Sequence, residues 1–363
     1  MKCPECGENH KRSLGVTCAC GYEFVIDPKY APDLAGVSAV DGLFRAIIRR
    51  ASSNGTLQFT ENQLFASAVR HVDYKRKNDR RSKVIAFVIT LILTIVLLDS
   101  FIGIITGLIA AMLFLVILID ELQLFSPVKR SEWDKVVAMW RDEGGGAIPG
   151  LLESPRLEVP PLEEDDEQFY QQGFGRLLIC QHRELVDLLV LNGFHTENSC
   201  IVISEDGYPD YVLPRVQKAI DENPSLQIFI WHDSGKTGEE MGKRLRCEES
   251  VLNVGDRQII DLGLSAELIS DAGRPVRRLN KAFAGRLPAD GFPQSLLAGI
   301  LGGAIAEYGE LAVGAGEAAE GETVAFVPEV LREKPGVEET VSIELCYSVD
   351  WGCSVGDGEG DGE

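Results

Sequence analysis

Four cysteines near the start of the chain have the types and spacing for metal chemistry. Cys3 and Cys6 lie in CPECG, Cys18 and Cys20 lie in CACG, and eleven residues separate the pairs. A thiolate pair on a tight turn can aim two sulfurs at one ion, and the glycine after each pair supplies a permissive backbone. Four thiolates fill a tetrahedron and leave no position open for substrate, so such a site holds a fold or a partner surface together. The same cysteines could instead form two disulfides, which a reducing compartment disfavours. His10 could replace one thiolate, although it reads as a free surface residue. Cys180, Cys200, Cys247, Cys346 and Cys353 have no ligand spacing and read as core or tail residues.

Each Cys pair with its trailing glycine resembles a zinc knuckle, and the first 25 or so residues resemble the short zinc ribbons at the N-termini of bacterial membrane and regulatory proteins. The resemblance implies one structural Zn2+ on Cys3, Cys6, Cys18 and Cys20. The second pair is CxC, one residue tighter than the usual CxxC.

A second set of candidate residues sits farther along. RLLICQ, SCIVIS, LQIFIWH and RQIIDLG are short apolar runs, separated by the helical patterns HRELVDLLVLNGF, PDYVLPRVQKAIDENP and GEEMGKRLRC. Runs alternating with helices of this length imply a mostly parallel sheet covered on both faces, with ligands at the carboxyl ends of its strands. Three loops meet that criterion: Gln181 to Glu184, Ser204 to Tyr208, and His232 to Gly238. The last, HDSGKTG, carries His232, Asp233, Ser234 and Lys236. A phosphate loop of the GxxxxGK[ST] type is excluded, because Ile230 stands where the first glycine is needed. No GxSxG elbow and no HExxH occurs.

The order of these elements from Phe174 to Gly263 resembles the Toprim-type domain of topoisomerases and primases. That resemblance implies divalent metal held for phosphodiester chemistry, with Asp233 and Gly238 matching two positions of the DxDxxG motif and Gly235 replacing its second Asp. Glu184 is the nearest acid after the first strand, Gln181 lies closer to the expected place, and Asp206 is a further candidate. The resemblance thus implies a degenerate, inactive member of the family, while the alternative of metal-assisted phosphoester chemistry takes Asp233 and Glu184, with Asp206 as a further candidate, as the Mg2+ ligands. The residues alone also allow a simpler role, with Asp233 or Ser234 capping the helix that follows. His232 and Trp231 read as packed, and His182 and His195 as surface or loop residues.

Charge divides the chain into different physical objects. Its 363 residues carry a net charge of −21, distributed as +5 over 1–83, −3 over 84–122 and −23 over the remainder. The overall balance argues against an electrostatically driven nucleic-acid binder, and a DNA tether through the basic head is the weaker reading. From Val84 to Ile119 the only charged residue is Asp99. As one helix this stretch would measure about 54 Å, so the reading is two transmembrane helices turning at Asp99 and Ser100, fully spanning or re-entrant. Basic flanks, KRKNDRRSK before and Lys129, Arg130 and Lys135 after, place both termini in the cytoplasm of an inner-membrane protein.

The expected architecture is thus a multi-domain α/β membrane protein: a zinc ribbon over 1–26, a short helical segment over 27–83, a transmembrane hairpin over 84–119, an amphipathic stretch and acidic Pro/Gly linker over 120–168, a Rossmann-like or Toprim-like α/β domain over 169–348, and a disordered acidic tail over 349–363. FPQSLLAGILGGAIAEYG reads as a buried helix of the α/β domain and ETVSIELCYSV as a strand. The expected function is a membrane-anchored, cytoplasm-facing, non-catalytic binding or scaffolding protein, with the lipid bilayer and an unidentified protein as partners and no small-molecule ligand that can be named. The alternative is an enzyme of metal-dependent phosphoester chemistry.

Overall fold

The computed structural model describes residues 1–96, 108–109, 111–112, 114–116, 127–142, 144–158, 174–314 and 323–325. The chain divides into two compact units, one formed by Met1–Ala51, Leu64–Pro149 and Lys281–Gly285, the other by Ser52–Gln63, Gly150–Asn280 and Arg286–Glu363.

In the first unit the cysteine-bearing segment is followed by a hairpin of β1 (Asp33–Leu34) and β2 (Val37–Ser38), then α1 (Asp41–Ala51). Asp41 fixes the start of α1 to the segment before it. Its buried carboxylate accepts from the Tyr22 hydroxyl at 2.6 Å and from the backbone N–H groups of Val25 and Ile26, both at 2.8 Å. A buried carboxylate survives because three donors replace its water. Burial and the neighbouring Asp41 charge together push the Tyr22 phenol upward. Apolar residues of α1 meet α3 (Arg130–Asp142), with the Phe44 ring 5.6 Å from Trp133 and 4.7 Å from Trp140. The stretch read as amphipathic is therefore a packed helix with Trp133, Val136 and Trp140 buried.

The membrane reading is overturned here. No helix among the described residues is long and apolar enough to cross a membrane. The basic run Lys75–Lys83 and the first part of the apolar stretch form one continuous helix, α2 (Glu61–Val96). The turn at Asp99 and Ser100 lies outside the described residues, as do most of 97–126, 159–173 and everything after Ala325, including the strand ETVSIELCYSV and the acidic tail expected there. The transmembrane hairpin, and the inner-membrane location with cytoplasmic termini inferred from it, are withdrawn.

The second unit is built on a five-stranded parallel sheet in the order β4-β3-β5-β6-β7. The strands are β3 (Arg176–Cys180), β4 (Ile201–Ser204), β5 (Gln227–Trp231), β6 (Ile259–Asp261) and β7 (Thr323–Ala325). Four of them coincide with the apolar runs of the sequence, and their near-continuous burial is what a parallel sheet covered on both faces requires. Between them run α4 (Arg183–Leu191), α5 (Phe194–Glu197), α6 (Leu213–Glu222), α7 (Lys236–Glu239) and α8 (Met241–Arg244). α4 stops at Asn192 and Gly193, the latter left-handed at φ 79°. After β6 come α9 (Ala266–Asp271), α10 (Arg274–Ala282) and α11 (Gln294–Gly314), the last burying Leu297, Ile300, Leu301, Ala304 and Ile305 as a domain helix. Residues 150–158 are bound to this unit through Asp187, which accepts from Ser154 Oγ at 2.6 Å, Arg156 N at 2.9 Å and the Tyr208 hydroxyl at 2.6 Å.

The order places β3 beside β5, and the connection leaving β3 runs to β4 on one side while the connection leaving β5 runs to β6 on the other. That is the switch point at which doubly wound sheets open a crevice.

Removing the Asp41 carboxylate tests the assembly of the first unit. Asp41→Ala strands buried donors, each worth about 1–3 kcal/mol. Chemical denaturation should show a loss of at least about 2 kcal/mol, and an unchanged midpoint would mean that this carboxylate does not hold α1 to the preceding segment.

Candidate metal centre and the strand-end charge pairs

The two cysteine pairs sit on turns of different length closed in the same way. In the first, Gly7 N–H bonds the Cys3 carbonyl four residues back, at 3.0 Å; in the second, Gly21 N–H bonds the Cys18 carbonyl three residues back, at 2.9 Å. Gly7 and Gly21 have φ of 75° and 91°, a region L-residues avoid. The shorter CxC spacing is thus absorbed by a tighter turn. All four sulfurs lie within 4.8 Å of one another, with Cys3 Sγ 3.7 Å from Cys20 Sγ and Cys6 Sγ 3.8 Å from Cys18 Sγ. A tetrahedron of thiolates around zinc, with bonds of about 2.3 Å, has edges of about 3.8 Å. The donors and their separations fit that ion. The neighbouring thiols are driven apart. Burial works upward on Cys3, but the backbone N–H groups of Cys6 and Glu5 bring it down to about 7. The backbone N–H of Glu8 works downward on Cys6, but its neighbouring cysteines and burial push it up to about 12. The backbone N–H of Cys20 works downward on Cys18, but burial with the neighbouring Cys20 and Cys3 thiols pushes it upward.

His10 is no part of this group and no surface residue. It is buried, its ring 5.0 Å from that of Phe24, and its Nε2 lies 2.8 Å from the Gly15 carbonyl, which requires the proton on Nε2.

At the carboxyl ends of the strands, carboxylates and bases meet in pairs. After β4, Glu205 receives two bonds from the Arg244 guanidinium at 2.6 and 2.8 Å, and Asp206 receives Arg183 at 2.6 Å and the Ser204 hydroxyl. After β5, Asp233 Oδ2 lies 2.9 Å from His182 Nε2, and its Oδ1 accepts the Ala289 N–H at 2.7 Å. At the end of β6, Asp261 Oδ1 lies 3.0 Å from His232 Nε2 and accepts the Gly263 N–H at 2.8 Å. The His232 contact is short, but it is too poorly aligned to count as a hydrogen bond.

His232 is 1% exposed, and its other nitrogen lies 2.7 Å from the Asp233 carbonyl. Both neighbours of the ring can only accept, so the geometry favours the doubly protonated imidazolium. Burial alone would lower the His232 pKa, but the Asp261 carboxylate outweighs it and the net shift is upward. Two glycines make room for this ring. A Cβ on Gly263 would stand 2.2 to 2.4 Å from its atoms, and one on Gly238 would stand 2.4 Å from Nδ1. The pKa of His182 is raised above all by its hydrogen bond to Asp233. That of Asp233 is pushed upward by burial and downward by His182 and the Ala289 N–H, with the downward influences prevailing.

The residues proposed from sequence for a divalent metal are not brought together. Asp233 and Asp206 have separate cationic partners, and Glu184 lies exposed in the first turn of α4. Among the described residues the four cysteines are the only group of three or more His, Cys, Asp or Glu whose ligand atoms converge. Neither Asp233 nor Ser234 caps α7, whose N-cap is Gly235 without a side-chain bond. His195 is buried, against the surface reading, while His232 and Trp231 are packed as the sequence suggested. The roles of Asp261 and His182 were missed. An acid closing the run RQIID, beside Gly263, and a His just after RLLIC were the available signals.

No family model, no curated protein and no solved structure shows significant similarity to the chain. The likeness to Toprim domains and to zinc-ribbon membrane proteins gains no support beyond the cysteine cluster.

The pairs predict the pH profile of stability. Raised His182 and His232 contribute fully below about pH 6.5 and lose that contribution as pH climbs through their higher folded values. Depressed Asp233 contributes above about pH 3.9 and loses it as pH falls through its lower folded value. Melting temperature should therefore be highest between those limits and decline above pH 6.5, less steeply in His182→Gln; identical slopes in both proteins would contradict the His182–Asp233 assignment. Gly263→Ala should cost about 1–3 kcal/mol by overpacking against His232, read by urea denaturation, and a neutral result would place the ring elsewhere.

Proposed function

We propose that the protein is a non-catalytic binding or scaffolding protein, with a structural zinc ion on Cys3, Cys6, Cys18 and Cys20 and an α/β unit that serves as a binding module for a protein partner. The observation that carries this reading is the pairing at the strand ends: Glu205, Asp206, Asp233 and Asp261 each have a basic partner. A carboxylate held by Arg or His is poorly placed to ligate Mg2+, which needs near-octahedral oxygens at about 2.1 Å. The four-thiolate set is the complement of that picture. Zinc bound there would be saturated by protein ligands, and its chemistry would be to hold two turns together.

The experiment is a thermal-shift titration of the full chain and of Asp233→Ala with Mg2+ or Mn2+. The reading expects neither ion to stabilise either protein. Stabilisation of the parent that disappears in Asp233→Ala would contradict it and favour metal-dependent phosphoester chemistry.

A further inference from the structure

The four sulfurs are not equivalent. Cys3 and Cys18 are buried, whereas Cys6 and Cys20 are exposed. Two sulfur contacts run between the turns, each joining one exposed to one buried sulfur: Cys20 to Cys3 at 3.7 Å, and Cys6 to Cys18 at 3.8 Å. Oxidation of a cysteine begins on an accessible thiolate, and the resulting sulfenic acid persists only until a nearby thiolate displaces its oxygen. Here every accessible sulfur has a sheltered one within reach.

We propose that the cysteine cluster is a site of reversible peroxide oxidation, in which zinc is exchanged for the crossed disulfides Cys3–Cys20 and Cys6–Cys18. The proposal rests on the structural-zinc reading. In each pair the exposed thiolate attacks hydrogen peroxide, so that an S–O bond forms, the O–O bond breaks and hydroxide leaves. The buried thiolate then attacks the sulfenic sulfur, so that the S–S bond forms, the S–O bond breaks and a second hydroxide leaves. The two hydroxides take two protons from solvent and become water. Each thiolate pair gives two electrons to one peroxide as its disulfide forms, and two peroxides consume all four ligands and release Zn2+. Crossed links leave the two turns tied face to face after the metal has gone, so that reduction returns the four thiolates to the positions from which zinc can be rebound.

The test treats the full-length protein with hydrogen peroxide, follows zinc with a chromogenic chelator, and maps disulfides under non-reducing conditions. Cleavage after Glu5 separates Cys3 from Cys6, and fragmentation between Cys18 and Cys20 assigns their partners. The expected result is loss of the bound zinc together with Cys3–Cys20 and Cys6–Cys18, both reversed by dithiothreitol and added zinc. In Cys20→Ser, peroxide should still link Cys6 to Cys18 and leave Cys3 open to alkylation. Links within a pair, Cys3–Cys6 and Cys18–Cys20, or the other crossing, Cys3–Cys18 and Cys6–Cys20, would overturn the proposal. So would sulfinic or sulfonic acids in place of disulfides, or zinc that stays bound. Metal content before peroxide separates the two claims: protein purified without zinc would sink the structural-zinc reading, while the map would still decide the pairing.

Discussion

A charge withdrawn from water must find a partner, and the carboxyl edge of the parallel sheet is organised by that constraint. The chain ends three of its strands in or beside Asp or Glu, at the place where a doubly wound sheet is open to ligands. Each acid is then met by a base from a neighbouring loop or helix: Arg244, Arg183, His182 and His232. The deepest of these pairs, His232 with Asp261, is the costliest to break, because it would leave a buried ion uncompensated. Its demands extend into the sequence around it, since Gly238 and Gly263 must both lack a side chain for the imidazole to fit. Asp233 ties the same edge to the loop that follows α10 through the Ala289 N–H, and the Trp231 indole bonds the Ala289 carbonyl at 3.0 Å. The edge is thereby closed by its own bonds.

The N-terminal cluster solves the opposite problem. So short a segment buries little apolar surface, and small modules of this kind commonly depend on a metal or disulfides. What it has instead is two glycine-closed turns that place four sulfurs at the spacing of a thiolate tetrahedron. Asp41 then fastens this segment to α1 through Tyr22, Val25 and Ile26, so that order at the cysteines is transmitted to the first helix of the unit.

Much of this was legible in the residues. Four of the five strands, and the helices between them, follow from apolar runs alternating with helical spacing, because burial on both faces leaves a pattern that one sequence can display. The cysteine cluster was equally visible, since its spacing states its chemistry. The charge pairs were not, because His182 and Asp233 lie far apart in sequence and only the sheet register, with Cys180 opposite Trp231, brings their loops side by side. The same gap explains why Asp233, Glu184 and Asp206 read as one ligand set: acids near strand ends look like ligands until the His182 paired with Asp233 and the Arg183 paired with Asp206 are seen. Composition misled over residues 84–119. An uncharged run reads as a membrane span, but its first part continues a helix that begins among charged residues at Glu61.

Zinc proposed on Cys3, Cys6, Cys18 and Cys20 would be enclosed by cysteine, with no position open for catalysis. X-ray absorption at the zinc edge of the purified full-length protein tests this enclosure most directly. Four sulfurs at about 2.3 Å and no lighter ligand is the predicted shell. A shell containing nitrogen or oxygen, or a position open to solvent, would contradict the account.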